Sequence, residues 1–332
     1  MPKKFKPENV TIVSGSANPE LAQDVADYLG VELGPVERKR FPSGERYVRY
    51  EQSVRGKHVF AIQSHVSTPD MSINDAIWEH GMLIDAAKRS SAREVTAISP
   101  HMGYLRQERQ ARGREAIGSS MIMDHLRHAD RLVAVDLHSP ATTGITHKPF
   151  DPLTAQIALE QAMEHDLEQY ERDDCVVVAP DAGASKLAQS HQRRMDLDIL
   201  HLAKQRGRGD SSKISRDEHV PEAKDRVCLV FDDMIDTGGT LVSAVEALKK
   251  SGAKAIHVAA THGVFSNDAP EKLQKAPIDR LYVTDTFPMT HAKEVLGDKL
   301  RVVSAAPIIG QAIMEIVTGG SVSDMFNDEN HL

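Results

Sequence analysis

The chain has little cysteine, no basic excess and no long apolar run. Its two cysteines, Cys175 and Cys228, each lie inside an apolar run (CVVVA and VCLVF) with no second cysteine nearby. A disulfide scaffold is excluded, a zinc site built on a cysteine pair has no ligands, and buried reduced thiols are expected. No stretch approaches the roughly 18 apolar residues that a membrane span needs. The opening residues, MPKKFKPENV, are basic but lead into no apolar segment, so no signal peptide is expected. Lysine and arginine total 40 against 48 aspartates and glutamates, a net charge of −8. That excludes a globally basic nucleic-acid binder, though not a local basic site. No GxxxxGK[ST] or GxGxxG loop follows any strand-like run, which disfavours P-loop and dinucleotide-binding folds. What remains is a chain of 332 residues, 40% hydrophobic and 27% charged. That length suits about two globular domains. A cytoplasmic protein without membrane or nucleic-acid partners is expected.

Short Val- and Ile-rich runs alternate with amphipathic stretches throughout. Strands are predicted at Val10–Gly15, His58–Ser64, Glu94–Pro100, Arg131–His138, Cys175–Asp181, Val227–Asp233, Ala255–Gly263, Arg280–Thr286 and Leu300–Ala306. Several are apolar on both faces, as in a parallel sheet covered on both sides. Helices are predicted at Glu20–Leu29, Ser72–Arg89, Gly118–His128, Pro152–Leu167, Gly183–Arg194, Thr240–Ser251 and Ile308–Thr318, with Gly30 and Gly252 at C-caps. The alternation implies an α/β fold, and the pattern runs twice. Two similar domains are expected, each a mainly parallel sheet flanked by helices. One covers 8–151, with 308–332 packing back on it, and the other covers 152–307. The polar stretch Lys204–Lys224 has no apolar period and is long for a simple connection.

The chemistry concentrates in VCLVFDDMIDTGGTLVSAVEAL. An apolar strand runs into Asp232 and Asp233, and then Asp236-Thr237-Gly238-Gly239-Thr240 opens a helix. Small side chains let several backbone N–H groups close around one anion, and the helix N-terminus adds a favourable dipole. The acidic pair suits sugar hydroxyls or a hydrated Mg²⁺. The combination describes a sugar-phosphate site, although any one Asp or Thr could act only as a helix cap.

This motif resembles the phosphoribosyl-diphosphate (PRPP) loop of type I phosphoribosyltransferases and PRPP synthetases. Further stretches are similar to ribose-phosphate diphosphokinases, in the same order. They are FPSGE (Phe41–Glu45), GYLRQERQAR (Gly103–Arg112), VDLHS (Val135–Ser139), APDAGASK (Ala179–Lys186) and ATHGVFS (Ala260–Ser266). The resemblance covers nearly the whole chain and implies a duplicated phosphoribosyltransferase-like fold. It also implies transfer of the diphosphoryl group of ATP to the 1-hydroxyl of ribose 5-phosphate, with Mg²⁺ as cofactor.

The resemblance implies roles residue by residue. Phe41, Ser43, Gly44 and Glu45 would contact ATP, the aromatic ring reaching a neighbouring subunit's adenine. Arg106 and Gln107 would also bind ATP, an arginine fork suiting phosphate and a glutamine amide an adenine edge. His138 and Asp181 would contact Mg²⁺ with the nucleotide. The loop holding Asp181, Ala182 and Gly183 would cradle the diphosphate. Lys204 and Arg206 would form a catalytic loop over the phosphates. Asp232, Asp233 and Asp236–Thr240 would hold ribose 5-phosphate. Arg89, Ser90, Ser321, Ser323 and Phe326 match an effector junction for phosphate and ADP. A homo-oligomer built from dimers, a hexamer favoured, is also implied. His125 and His128 read as structural.

The chain departs from the family at Glu108, at Ala184, in the ATTGITH stretch (Ala141–His147) and around AKQRG. Two rivals stay open at this point. A PRPP-consuming transferase would need only one α/β unit. A non-catalytic regulatory relative would have degraded loops.

Overall fold

The computed structural model describes residues 5–180, 183–202 and 220–326. It forms two compact units. One runs to Ala155 and takes in Thr286–Pro288 and the C-terminal stretch from Ser304; the other holds Gln156–Asp285 and Met289–Val303.

The first unit begins with β1 (Val10–Ser14), which is wholly buried, and α1 (Pro19–Leu29). Proline at the first turn of α1 is preset for a helix, and Gly30 ends it in the left-handed region at φ 64°. An antiparallel hairpin follows, β2 (Val36–Arg40) and β3 (Arg46–Tyr50). Then come β4 (His58–Ile62), α2 (Ile73–Arg89), β5 (Glu94–Ser99), α3 (Gly118–His125), β6 (Arg131–Val135) and β7 (Phe150–Leu153). A capping box opens α2: the Asp75 N–H donates to Ser72 Oγ (3.1 Å) and the Ser72 N–H to Asp75 Oδ2 (2.9 Å). The parallel sheet runs in the order β1-β4-β5-β6-β7. Alternate residues Val59, Ala61, Val95, Ala97, Leu132 and Ala134 share a core with Leu83, Ile84 and Leu126.

The second unit has α4 (Gln156–Leu167), β8 (Cys175–Ala179), α5 (Ser185–Met195), β9 (Asp198–His201), β10 (Val227–Ile235) and α6 (Gly239–Lys250). It continues with β11 (Ala255–Gly263), α7 (Ala269–Lys275), β12 (Arg280–Thr284), α8 (Thr290–Leu296) and β13 (Leu300–Val303). All its strand pairs are parallel, in the order β13-β12-β11-β10-β8-β9. Val177, Leu229, Phe231 and Tyr282 pack with Leu159, Met163, Ala188 and Met195. The last helix, α9 (Ala306–Thr318), belongs to the first unit and packs on α1, where Gly310 leaves room for the Tyr28 ring.

The duplication is visible in the topology. Leu33 makes a parallel bridge to Ile12 on the edge of β1 opposite β4. It holds the place beside β1 that β9 holds beside β8. Counted from there, both sheets follow one path: the chain steps to one side of the first strand, then returns to its other side and continues outward.

The elements differ from the sequence reading in places. The hairpin β2–β3 has the sequences VERKR and RYVRY, too charged to read as apolar runs. Residues 152 and 153, expected to start a helix, end the edge strand β7, where a proline costs no ladder bond. Helix α3 stops at His125, and β10 runs on through the acidic pair to Ile235.

Candidate active site

In the second unit the chain leaves β8 through residues 180–184 into α5 and crosses to β9 on one side. It returns to β10 on the other side and leaves through residues 236–238 into α6, toward β11. The two connections diverge from neighbouring strands at their carboxyl ends. Such a switch point opens a crevice in a parallel sheet. The connection that leaves β8 at Pro180 and the Asp236–Thr240 loop after β10 therefore start from adjacent strands at this switch point. Asp181 and Ala182 lie outside the described residues, as do Lys204 and Arg206; Gly183 is exposed just before α5.

β10 pairs with β8 only from Val227 to Val230, whereas it pairs with β11 as far as Ile235. Asp232 and Asp233 thus stand half-buried beyond the end of β8, and the Asp233 N–H donates to Asp232 Oδ1 (2.9 Å). Asp236 is half-buried, while Thr237, Gly239 and Thr240 are exposed. Gly238 sits at φ 72°, where a β-carbon would only touch Leu273 at 3.5 Å, so the backbone angle rather than space selects glycine. The turn after β11 braces this loop: the Phe265 N–H donates to the Ile235 carbonyl (3.0 Å) and the Ser266 N–H to that of Asp236 (3.1 Å). Its ATHGVFS sequence was part of the resemblance without a role; here it holds the start of the Asp236–Thr240 loop.

A buried cluster backs the crevice. Glu160 on α4 accepts from Arg194 Nε (2.8 and 3.0 Å) and bonds His191 Nδ1, both on α5. The His191 ring stacks on Phe231, the residue before Asp232, with centroids 3.6 Å apart. Burial pushes the Glu160 carboxyl up, but the bonds from His191 and Arg194 outweigh it and hold the group below its usual range. No sequence pattern pointed to this cluster, because its members come from separate elements.

In the first unit Arg106, Gln107 and His138, expected at the nucleotide, follow the neighbouring strands β5 and β6 at their carboxyl ends. Arg106 and Gln107 are exposed on a 3₁₀ turn after β5, anchored by buried Leu105. His138 is exposed after the neighbouring strand β6. Phe41, Ser43, Gly44 and Glu45 form the hairpin tip. There the Phe41 N–H donates to the Glu45 carbonyl (2.8 Å), Ser43 Oγ donates to Glu45 Oε2 (2.7 Å), and Gly44 sits at φ 97°. Phe41 is 41% exposed, its ring meeting Tyr47 edge-on. Arg89 and Ser90 end α2, where Arg89 pairs with Asp85 (2.7 Å). Ser321 Oγ accepts the Asp324 N–H (3.2 Å), and Ser323–Phe326 is a 3₁₀ turn with Phe326 buried. His125 bonds the Ile77 carbonyl (2.9 Å) and stacks on Trp78.

The first unit's own switch point, between β1 and β4, is filled by its own side chains. The Ser16 N–H and hydroxyl donate to buried Glu79 (2.6 and 3.1 Å), and the Ala17 N–H donates to Gln63 Oε1 (3.1 Å). A β-carbon at Gly15 would meet Gln63 at 2.1 Å. In the second unit the corresponding connection after β10 leaves Thr237, Gly239 and Thr240 exposed.

Residues 10–129 match the N-terminal domain of ribose phosphate pyrophosphokinase, and residues 218–327 match the phosphoribosyl synthetase-associated domain. The chain is 40% identical over 318 residues to a ribose-phosphate pyrophosphokinase of Streptomyces avermitilis, covering 95% of each protein. It is 38% identical to the Corynebacterium glutamicum enzyme of the same name, covering 98% of each. The crystal structure of a phosphoribosylpyrophosphate synthetase from Mycobacterium smegmatis matches 94% of this chain and 100% of that one, with a TM-score of 0.83 at 36% identity. The match spans both units and so sets aside a one-unit transferase. The chain belongs to the ribose-phosphate pyrophosphokinase family.

Proposed function

We propose that the protein transfers the diphosphoryl group of ATP to the 1-hydroxyl of ribose 5-phosphate, forming PRPP and releasing AMP. The supporting observation is the pair of loops, 180–184 and 236–240, leaving adjacent strands at the second unit's switch point. Backbone donors of Asp236–Thr240 hold the 5-phosphate, Asp232 and Asp233 take ribose hydroxyls, and the loop with Asp181, Ala182 and Gly183 cradles the diphosphate. Arg106, Gln107 and the hairpin tip at Phe41, Ser43, Gly44 and Glu45 bind ATP. Lys204 and Arg206 supply charge to the transferring group, where preorganised donors do most work.

The donor set suits Mg²⁺. Among the described residues no three His, Cys, Asp or Glu side chains cluster as a metal cage. Mg²⁺ commonly keeps its waters and phosphate oxygens and takes only one or two protein ligands. His138 and Asp181 would hold it, and the ion would neutralise phosphate charge. Among the described residues no helix is long and apolar enough to cross a membrane; we place the protein in the cytoplasm as a dimer-based oligomer, a hexamer favoured. Light scattering that found a fully active monomer would overturn that assembly. The deciding assay is AMP release from ATP, with and without ribose 5-phosphate. Lys204→Ala should lower turnover at least roughly a hundredfold, the effect of removing one donor worth about 2.7–4 kcal/mol. Near-normal turnover in the variant would remove Lys204 from the mechanism.

A further inference from the structure

His65 and His80 of the first unit take no part in the chemistry above, yet both are wholly buried. His65 follows β4, and His80 lies in the middle of α2. Their rings meet edge to face, with His65 Nε2 3.0 Å from His80 Nδ1. The bonds at the two ends fix every proton between them. The Gly103 N–H can only donate, and it lies 3.2 Å from His65 Nδ1, so that nitrogen accepts. Neutral His65 then carries its hydrogen on Nε2 and donates to His80 Nδ1. His80 in turn carries its hydrogen on Nε2 and donates to the Ala61 carbonyl at 3.1 Å. Each donor meets one acceptor, and a proton added to either ring would set two hydrogens against each other.

The surroundings keep both rings neutral. Burial pushes His80 down to about 4 and His65 well below its ordinary value. After burial, the neighbouring His80 and His125 lower His65 further, and His125 lowers His80 against the opposing bond to Ala61. Glu79, beside His80 on α2, is turned away to Ser16 and Gln63. His101 faces Phe287 with its ring and accepts the His65 N–H (2.8 Å) with its carbonyl.

The relay ends at the turn that presents Arg106 and Gln107. Gly103 is packed so closely that a β-carbon would meet Ile73 at 3.0 Å and His65 at 3.3 Å. Tyr104, the next residue, sits at φ 63°, which a non-glycine residue keeps only when its surroundings enforce it. Its hydroxyl donates to Asn74 Oδ1 on α2 (2.6 Å). An apolar pair could fill the same volume, but it would leave the buried Gly103 N–H without an acceptor.

We propose that His65 and His80 are positioning residues, whose neutral two-imidazole relay from Ala61 to Gly103 sets the Gly103–Tyr104 turn and so aims Arg106 and Gln107 at ATP. The inference rests on the reading of Arg106 and Gln107 as nucleotide-binding. Its test is steady-state kinetics of full-length His80→Leu, His80→Gln and, as reference, Arg106→Ala, with hydrogen exchange followed over residues 101–107. His80→Leu should raise the KM for ATP about tenfold, the equivalent of one buried hydrogen bond, with the KM for ribose 5-phosphate unchanged and faster exchange at Gly103. His80→Gln, whose amide both accepts and donates, should restore most of the ATP affinity. If His80→Leu does not fold, His80→Asn, too short to reach both partners, must show the same rise. An unchanged ATP KM in a folded Leu or Asn variant, while Arg106→Ala raises it, overturns the relay. An unchanged ATP KM in Arg106→Ala instead overturns the nucleotide assignment of the stretch.

Discussion

Thr240→Val separates binding from folding at the loop proposed to hold the sugar phosphate. Thr240 is exposed in the first turn of α6, one residue past Gly239. Valine keeps nearly the same shape and a similar helix propensity, so stability should change by no more than about 0.5 kcal/mol. What is lost is a hydroxyl donor to an anion, and a hydrogen bond to a charged group contributes about 1.5–3 kcal/mol. At about 1.4 kcal/mol per tenfold, ribose 5-phosphate should bind roughly 10- to 150-fold more weakly. ATP affinity should stay as it was, because Arg106, Gln107 and the hairpin tip lie in the other unit. Gly238→Ala offers the contrast: its φ of 72° makes the added methyl costly through the backbone, by about 1–2 kcal/mol. That variant should lose a few degrees of melting temperature as well as ribose 5-phosphate affinity. Calorimetric titration with each ligand separately, beside thermal melts, reads both effects. Equal losses for both ligands in Thr240→Val, or none, would refute the assignment of this loop to the sugar phosphate.

Glu160→Ala leaves His191 and Arg194 without their shared carboxylate; breaking such a buried pair costs about 3–5 kcal/mol, a fall of roughly 6–20 °C in melting temperature by calorimetry. Acid should destabilise the fold well before carboxylates titrate. Burial lowers His58 and His80 to about 4 from the ordinary 6.5, so the unfolded chain takes up protons first. Each contribution, present above pH 6.5, should shrink by up to roughly 3 kcal/mol as pH falls toward 4, and urea titrations at pH 7, 6 and 5 would show it. Regulation is testable at the end of α2 and the C-terminal turn. With free phosphate activating, ADP should inhibit even at saturating ATP and lose that effect in Arg89→Ala/Ser323→Ala; purely ATP-competitive inhibition, unchanged in the variant, would remove the effector site.

Much of this was open to reading in the linear chain, for a physical reason. Strands of a parallel sheet are buried on both faces, so runs such as CVVVA and VCLVF stand out as continuous apolar blocks. An anion loop must be made of small residues followed by a helix, so DTGGT also reads locally, down to the glycine that φ 72° requires. Tertiary structure alone decided which loops start from adjacent strands. The step to β9 and back to β10 makes the chain leave the adjacent strands β8 and β10 in opposite directions, and sequence spacing carries no record of that reversal. It decided likewise that the first unit's equivalent crevice is closed by Glu79 and Gln63, which come from α2 and the end of β4. The hairpin β2–β3 was hidden because its residues are charged and half exposed, and its pairing rather than its hydrophobicity makes it a ribbon. The relay shows the same limit. His65, His80 and Gly103 look ordinary in sequence, and they become one hydrogen-bonded chain only where β4, α2 and the turn after β5 pack together. Local patterns record what a residue's own backbone and burial demand, whereas contacts between distant segments depend on the path the chain takes through the sheet.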